Sequence, residues 1–478
     1  MISALSDAPR WREGPGEQQR LRRSKRRPPP PPPIDEVQPS ELDGPAQKPT
    51  PGQPGRKNSL GGGELMRQIQ DAETSQQVHV SNGMWGWSKM ALPLQGQLAT
   101  AGDAAMARLA EQMKPQEVSN TLLAYANGGW QLSSGAAAAL QPRLEQVLPE
   151  AEPQQVSNSL WAAAKLGLPL SGSLKAAFVQ VLLRIIPAAK PQELANSLWA
   201  CGTLGWSPGQ RILAAAVAAM QQVLPPGTVK PQELNNFLWG LAELQDLGAP
   251  LPAALPALLE AAAAWAVRRW GQLSALDVVD LCYNLARLGH RPSNDWIGSA
   301  TARCLECIAA GAVDRGWFGS FIWACSSWSH RLQRSELEQL VPAAVDSICA
   351  DWPEPGRGGA LRLVEAMARQ EGFRVGPDHP AATAALEARL LPLVLDDIDL
   401  VTAGRLHPEK GELPYLAGWA SCLAAIGLRL PEQQLKALCS YVRKHLQQLS
   451  KGCRKQLRAA FETWGYQPGL ALLGCQLE

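Results

Sequence analysis

The most regularly spaced polar side chains in this sequence are asparagines that recur at intervals of 38 to 40 residues. They are Asn82, Asn120, Asn158, Asn196 and Asn236. All but Asn120 are followed three residues later by a tryptophan. An amide side chain can hydrogen-bond the edge of a nucleobase, and an indole ring can stack on its face. Asparagines and rings that recur at a constant interval are therefore candidates for contacts with nucleobases.

A further position, seven residues after each asparagine, changes type from one repeat to the next. Its occupants are Lys89, Asn127, Lys165, Thr203, Glu243, Arg287 and Ser327. Variation within a constant frame is expected of a residue that distinguishes one base from another. The candidate RNA-binding residues are therefore the five asparagines with Lys89, Lys165 and Arg287. Below, the Asn position is the place in each repeat that these asparagines occupy. The ring position is three residues after it, and the variable position is seven residues after it.

The same residues also have a structural interpretation, and the sequence leaves both open. Buried amides usually bond to neighbouring backbone, so the asparagines could tie adjacent repeats together. Large aromatic rings usually pack in cores, which would place the ring position between repeats. The variable position could simply be solvated, as charged helix surfaces generally are. Asp280 and Ser320 occupy the Asn position in two later repeats.

Residues typical of catalysis or metal binding form no convincing pattern. Cys304 and Cys307 are a lone CxxC pair without the second pair that a zinc site needs, so we expect them to be buried apolar side chains. The histidines show no metal-ligand spacing, and Gly61 to Gly63 lacks the lysine of a phosphate-binding loop. We expect no enzymatic activity, no metal and no cofactor.

The elements that position these residues are predicted to be helical hairpins. Pro115, Pro153, Pro191 and Pro231 each open a repeat, and proline suits the first position of a helix. In the repeat from Pro153, the apolar residues Val156, Leu160, Ala163 and Ala164 share one helical face. A second amphipathic stretch completes each repeat. A period near 38 residues is that of stacked helix pairs, which bury their apolar faces against neighbours. The predicted fold is all-α, an α-solenoid of stacked helical hairpins.

Three regions follow from composition and repeat quality. Residues 1–63 are rich in proline, glycine and arginine and are expected to be a disordered arm and a candidate targeting segment. Residues 64–330 are expected to hold well-formed repeats, and residues 331–478 degenerate ones. The arm contains the basic run Arg20 to Arg27, whereas the rest of the chain is slightly acidic. Phosphate binding by the repeats would therefore need a local basic patch. No apolar run is long enough to predict a membrane span.

The repeat motif resembles the octotricopeptide repeat family. The resemblance rests on the pattern Pro-Gln-x-Leu/Val-x-Asn-x-Leu-Trp-Ala, which in the repeat from Pro191 reads PQELANSLWA, and on its recurrence about every 38 residues. Such proteins are RNA-binding factors of organelles, and more distantly related ones are the FAST-kinase-like mitochondrial RNA factors. The resemblance implies that one repeat reads one nucleotide. No RAP-type domain of the kind that ends many family members is apparent.

The resemblance also implies a function and a location. It points to sequence-selective binding of single-stranded organelle RNA in the chloroplast, or alternatively the mitochondrion, with a role in RNA stability, processing or translation. Other proteins of a ribonucleoprotein complex are further expected partners. The alternative function is that of a HEAT- or armadillo-like protein-binding scaffold, because that class uses the same architecture. A lysine or arginine track beside the asparagines favours RNA, and an apolar or acidic groove favours protein.

Overall fold

A computed structural model of the chain describes residues 77–89, 94, 96–225, 227–312, 318–352, 356–370, 372–408 and 411–474. The predicted arm, residues 1–63, lies outside these ranges, as does the segment 64–76. The described residues form helices joined by short turns, and they contain no β-strand. The all-α prediction is therefore confirmed.

The helical part divides into two compact units, with the division between Ala261 and Ala262. We call residues 77–261 the N-terminal unit and residues 262–474 the C-terminal unit. The division falls inside a helix and differs from the change in repeat quality predicted after residue 330. That predicted change concerned sequence regularity rather than compactness, and it stays a prediction.

The N-terminal unit is a regular alternation of two helix types, which we call A and B. In chain order, with A first, the helices are α1 (Gln77–Lys89), α2 (Gly96–Leu109), α3 (Pro115–Gly128), α4 (Ser134–Val147), α5 (Pro153–Lys165), α6 (Gly172–Ile185), α7 (Pro191–Thr203), α8 (Gln210–Val223), α9 (Pro231–Asp246) and α10 (Leu255–Val267), the last of which crosses the division. From α1 to α9, each A helix packs on the next A helix, and from α2 to α8 each B helix packs on the next B helix. This is the predicted stack of helical hairpins.

The C-terminal unit continues the same alternation through the region where the sequence repeat is weak. Its helices are α11 (Ala275–Arg287), α12 (Asn294–Ala309), α13 (Phe318–Ser327), α14 (Arg334–Ala350), α15 (Gly356–Arg369), α16 (Pro380–Ala385), α17 (Leu391–Thr402), α18 (Glu412–Ile426), α19 (Glu432–Lys444), α20 (Lys451–Trp464) and α21 (Gln467–Gly474). The A helices α11, α13, α15, α18 and α20 pack in that order. One turn of π-helix, Leu386–Leu390, joins α16 to α17 within a single B layer. The predicted α-solenoid architecture therefore extends into the degenerate repeats.

The starts of α3, α5, α7 and α9 are fixed by local chemistry. Proline occupies the first helical position, where its missing N–H leaves no hydrogen bond unmade. The third helical residue then folds back on the chain. Glu193 Oε2 accepts a hydrogen bond of 2.7 Å from the backbone N–H of Lys190, and Glu233 Oε2 accepts one of 2.9 Å from Lys230. These bonds satisfy backbone donors that a helix start otherwise leaves unpaired.

In three hairpins an arginine on the B helix bonds to the backbone at the same end of the hairpin. Arg143 Nε on α4 donates to the backbone oxygen of Met113, at 2.7 Å, just before α3. Arg184 on α6 donates in the same way to Ala151, at 2.8 Å, before α5, and Arg303 on α12 to Leu273, at 2.9 Å, before α11. Each bond joins the B helix to the turn just before the A helix of the same hairpin. It therefore fixes the position of the two helices of that hairpin relative to each other.

Candidate nucleic-acid interface

The ring positions of the N-terminal unit form a ladder between neighbouring A helices. The ring centroids of Trp161 and Trp199 are 6.2 Å apart, and those of Trp199 and Trp239 are 6.1 Å apart, with 32° between the ring planes in both pairs. Trp161 is 2% exposed and Trp199 is fully buried. The packing interpretation of the ring position is therefore confirmed for these two tryptophans, which are core residues rather than open stacking surfaces.

The Asn positions differ in how far solvent reaches them. Asn82 is exposed and Asn120 is half-buried, whereas Asn158, Asn196 and Asn236 are buried on the consecutive helices α5, α7 and α9. The sequence did not predict this gradient, because it depends on the side chains that neighbouring helices contribute. We call the stripe of Asn, ring and variable positions along the A helices the A-helix face. Asn82 and Asn120 are open to a ligand on this face, whereas Asn158, Asn196 and Asn236, with the rings beside them, form its buried floor.

Several polar atoms of this floor lack a hydrogen-bond partner among the described residues. They are Trp161 Nε1, Asn196 Oδ1, Trp199 Nε1, Thr203 Oγ1 and Asn236 Nδ2. All of them belong to Asn, ring or variable positions. A buried polar atom without a partner costs about 1–3 kcal/mol, and native proteins contain few such atoms. Other described residues, such as Trp265 and Trp419, also have unpartnered buried atoms, but these five lie on one stripe of three neighbouring A helices, where a ligand could satisfy them together.

Lysines lie at both ends of this floor in the N-terminal unit. Lys89 and Lys165, at the variable position, are exposed at the ends of α1 and α5. Lys114, Lys190 and Lys230 are exposed immediately before the prolines that begin α3, α7 and α9. Together they form what we call the lysine rim. The acidic residues at the equivalent positions are Glu152 and Glu243.

The first-turn glutamates lie inside the fold, close to three lysines of the lysine rim. Glu117, Glu193 and Glu233 are buried, and each accepts a hydrogen bond from the backbone N–H of the preceding lysine. Burial raises the pKa of Glu193 and of Glu233, while the backbone hydrogen bond and the nearby lysine lower it. Buried carboxyl groups therefore lie close behind three of the lysines, and the charged side chains that reach solvent at the starts of α3, α7 and α9 are Lys114, Lys190 and Lys230.

In the C-terminal unit the same positions carry a different set of side chains. Tyr283 and Trp323 occupy the ring position, and their centroids are 5.3 Å apart in an edge-to-face arrangement. The guanidinium carbon of Arg287, a predicted contact at the variable position, lies 5.5 Å from the centre of the Tyr283 ring. Tyr283, Arg287 and Trp323 are half-buried, so this part of the A-helix face is more open than the floor of the N-terminal unit.

Arg362 on α15 is a further residue of this face that the sequence did not single out. Its guanidinium carbon lies 4.9 Å from the centre of the Tyr283 ring, and its Nη1 donates a 3.0 Å hydrogen bond to Ser320 Oγ. The side chain therefore crosses from α15 past α13 to α11. The only available signal was the weak repeat near Gly356, which is too degenerate to show that Arg362 faces the same way as the Asn position.

Asp280 occupies the Asn position of α11 and is half-buried. Burial raises the pKa of its carboxyl group to about 7, and the neighbouring charge of Asp277 adds to the effect. An aspartic acid at this point changes charge near neutral pH, whereas the asparagines elsewhere in the stripe do not titrate. Asp280 is therefore an acidic, pH-sensitive member of an otherwise neutral or basic face.

The cysteines and histidines form no metal site among the described residues. Cys304 and Cys307 are buried, and burial raises the pKa of the Cys304 thiol. Both behave as the small apolar side chains that the sequence predicts. Among the same residues, no helix combines the length and the apolar character needed to span a bilayer.

Comparison with known proteins gives no relative from which a function could be transferred. No protein-family model matches the chain, and no curated protein matches it. The geometry of the A-helix face therefore carries the functional argument.

Proposed function

We propose that this chain binds single-stranded RNA along the A-helix face and acts in post-transcriptional gene expression of an organelle. The observation that supports RNA most directly is the lysine rim. Five exposed lysines, Lys89, Lys114, Lys165, Lys190 and Lys230, flank the Asn and ring positions, against Glu152 and Glu243 at equivalent places. The chain outside the arm is slightly acidic, so this enrichment is local.

The lysine rim would hold the phosphate backbone. Lysine contacts with phosphates release counterions, which contributes much of the affinity of nucleic-acid binding and makes it dependent on salt. Three of the lysines precede the first turns of A helices, where the positive end of the helix dipole also favours anions. A protein partner would be better matched by an apolar or acidic groove, which is why RNA is favoured over the scaffold function.

Selectivity would come from the polar side chains beside the lysine rim. Asn82, Asn120 and the variable-position residues other than Thr203, whose hydroxyl is buried, are accessible. The variable-position residues differ between repeats, as base-reading residues do. The buried Asn158, Asn196 and Asn236 would reach a base only after neighbouring side chains shift, and the unpartnered atoms of Asn196 and Asn236 would gain hydrogen bonds in doing so. We infer that these three chiefly shape the floor and contribute to binding in the complex.

The cellular part of the proposal rests on the resemblance of the repeat motif. The chain would act in the chloroplast, or alternatively in the mitochondrion, on the stability, processing or translation of individual transcripts. Occupancy alone suffices for such roles, since a bound protein shields RNA from nucleases or keeps a ribosome-binding region open. Fractionation of cells that produce the tagged full chain tests the location, and recovery in the cytosol alone would contradict it.

The binding test is selection of a random pool of short single-stranded RNAs on the full chain, followed by a salt series on the enriched sequence. We expect enrichment of a defined motif. The triple variant Lys114→Ala, Lys190→Ala, Lys230→Ala should bind at least about tenfold more weakly, with a salt slope smaller by about 2, because each lost phosphate contact on a single strand lowers the slope by about 0.7.

The matched control removes the same charge from the B-helix layer. The variant Arg108→Ala, Lys175→Ala, Arg211→Ala loses three cations on α2, α6 and α8 and keeps the basic arm. It should bind like the parent chain. Equal weakening of both variants would indicate non-specific attraction, and absence of RNA binding by the parent chain would favour the protein-scaffold function.

A further inference from the structure

The side chains around Tyr283 on the C-terminal unit form a compact group that the lysine rim does not explain. Arg362 lies 4.9 Å from the centre of the Tyr283 ring, and Trp323 packs edge-to-face on Tyr283 with a centroid separation of 5.3 Å. Ser320, at the Asn position of α13, holds the guanidinium by a 3.0 Å hydrogen bond. Three neighbouring A helices thus contribute to one group.

We propose that Arg362, with Tyr283 and Trp323, is a stacking site for one unpaired nucleotide of the RNA, and that it accepts any base. This inference rests on the proposed RNA-binding function and names one site within it. Tyr283 is already contacted by the guanidinium groups of Arg362 and Arg287, so it supports the site rather than receiving the base. The guanidinium plane of Arg362 and the accessible part of the Trp323 ring would receive the base, and the remaining N–H groups of Arg362 would bind the adjoining phosphate.

Accessibility distinguishes this site from the ring ladder of the N-terminal unit. Trp161 and Trp199 are buried, so a base cannot lie on them without opening the core. Tyr283, Trp323 and Arg362 are all half-buried, which leaves part of each surface facing solvent. The hydrogen bond to Ser320 fixes the guanidinium before RNA arrives, so little side-chain freedom is lost when a base stacks.

The preference for any base follows from the chemistry of the site. Every nucleobase has an aromatic face, so stacking adds affinity without selecting a sequence. At this site the Asn position holds Ser320, which is buried and already bonded to Arg362, so no amide is offered to a base edge. The C-terminal unit would therefore anchor the strand, while the selective contacts lie at the variable positions.

The test compares full-chain variants on RNA carrying the selected sequence and on versions with one abasic nucleotide placed at each position in turn. The parent chain should lose about tenfold in affinity at the abasic position that faces the site, since stacking of one base on such a platform is typically worth that much. Arg362→Ala and Arg362→Lys should both lose about tenfold on intact RNA, because lysine keeps the charge but not the plane. Both variants should bind intact and abasic RNA equally at that position.

The control is Arg334→Ala, which removes an exposed cation from the B helix α14 of the same unit and should change affinity less than twofold. On a scrambled RNA, the Arg362 substitutions should lower the affinity by the same factor as on the selected RNA, because the site accepts any base. Two results would contradict the stacking site while leaving the RNA-binding function standing. One is that the Arg362 variants bind intact RNA as tightly as the parent chain does. The other is that the variants lose as much affinity as the parent chain at every abasic position. If the parent chain binds no RNA, both proposals fail.

Discussion

The A helices α7 and α9 pack closely against each other, and the contact depends on a glycine. A Cβ atom placed on Gly240 would lie 2.5 Å from the backbone carbonyl carbon and oxygen of Leu198 and 2.9 Å from the nitrogen of Trp199. These are backbone atoms of the facing helix, so they cannot rotate away. Gly202 on α7 faces the same contact, with its Cβ position 3.3 Å from the Cα of Gly240.

Gly240→Ala should therefore destabilise the chain although alanine favours helices. Alanine within a helix gains about 0.8–1.0 kcal/mol over glycine. Overpacking costs about 1–3 kcal/mol, and the upper end applies here because backbone must move. The expected net loss is about 2 kcal/mol. Gly298→Ala on α12 supplies the control, since no described atom lies within 4 Å of its Cβ position and only the gain of about 1 kcal/mol should appear.

Urea unfolding followed by far-UV circular dichroism measures both effects on the full chain. The midpoint should fall for Gly240→Ala and rise for Gly298→Ala. If the two units unfold in separate transitions, Gly240→Ala should shift the transition of the N-terminal unit, and Gly298→Ala should shift that of the C-terminal unit. A Gly240→Ala midpoint at or above that of the parent chain would refute the close packing of α7 against α9.

Three further predictions concern the ladder, the hairpin contacts and the acidic position. Trp199→Ala should cost about 3–5 kcal/mol in urea unfolding because the ring is fully buried, and a loss below 1 kcal/mol would contradict the ladder. Arg143→Ala should cost about 1–3 kcal/mol in the same assay by removing the charged donor to Met113, whereas removal of Arg108 should change little. Asp280→Asn should leave the thermal midpoint unchanged near pH 4 and raise it at pH 8 by the equivalent of roughly 1–2 kcal/mol, after allowance for partial exposure. The sign follows because the folded-state pKa of Asp280, about 7, exceeds the usual value for aspartate. The parent chain therefore loses stability as the pH rises from the usual pKa of aspartate to about 7, and the asparagine variant does not. Equal midpoints of the two chains at pH 8 would contradict this prediction.

The A helices could be predicted from the sequence because their signals are local. Proline at the first position, a glutamate two residues later and apolar residues on one face identify α3, α7 and α9 without any tertiary information. Glycine at the end of the helix completes the pattern, as at Gly129, where φ is 63°. The burial of Trp161 and Trp199 was also among the expected alternatives, since large rings in a stacked repeat usually lie between the repeats.

The rest depends on contacts between residues distant in sequence. Arg362 belongs to the A-helix face because its side chain extends across α13 to α11, which a degenerate repeat does not reveal. Arg143 and Arg184 bond to backbone oxygens, and such acceptors have no residue type that a motif could record. The buried Asn158 and the exposed Asn82 share a repeat position, and only the packing of adjacent helices distinguishes them.

Photo-crosslinking of the full chain to its selected RNA, with the adducts located by mass spectrometry, shows whether RNA lies on the A-helix face. We expect adducts at the starts of α3, α5, α7 and α9, and near Tyr283 on α11. Adducts confined to the B helices or to the basic run Arg20 to Arg27 would contradict it, because the RNA would then be held by a surface other than the A-helix face.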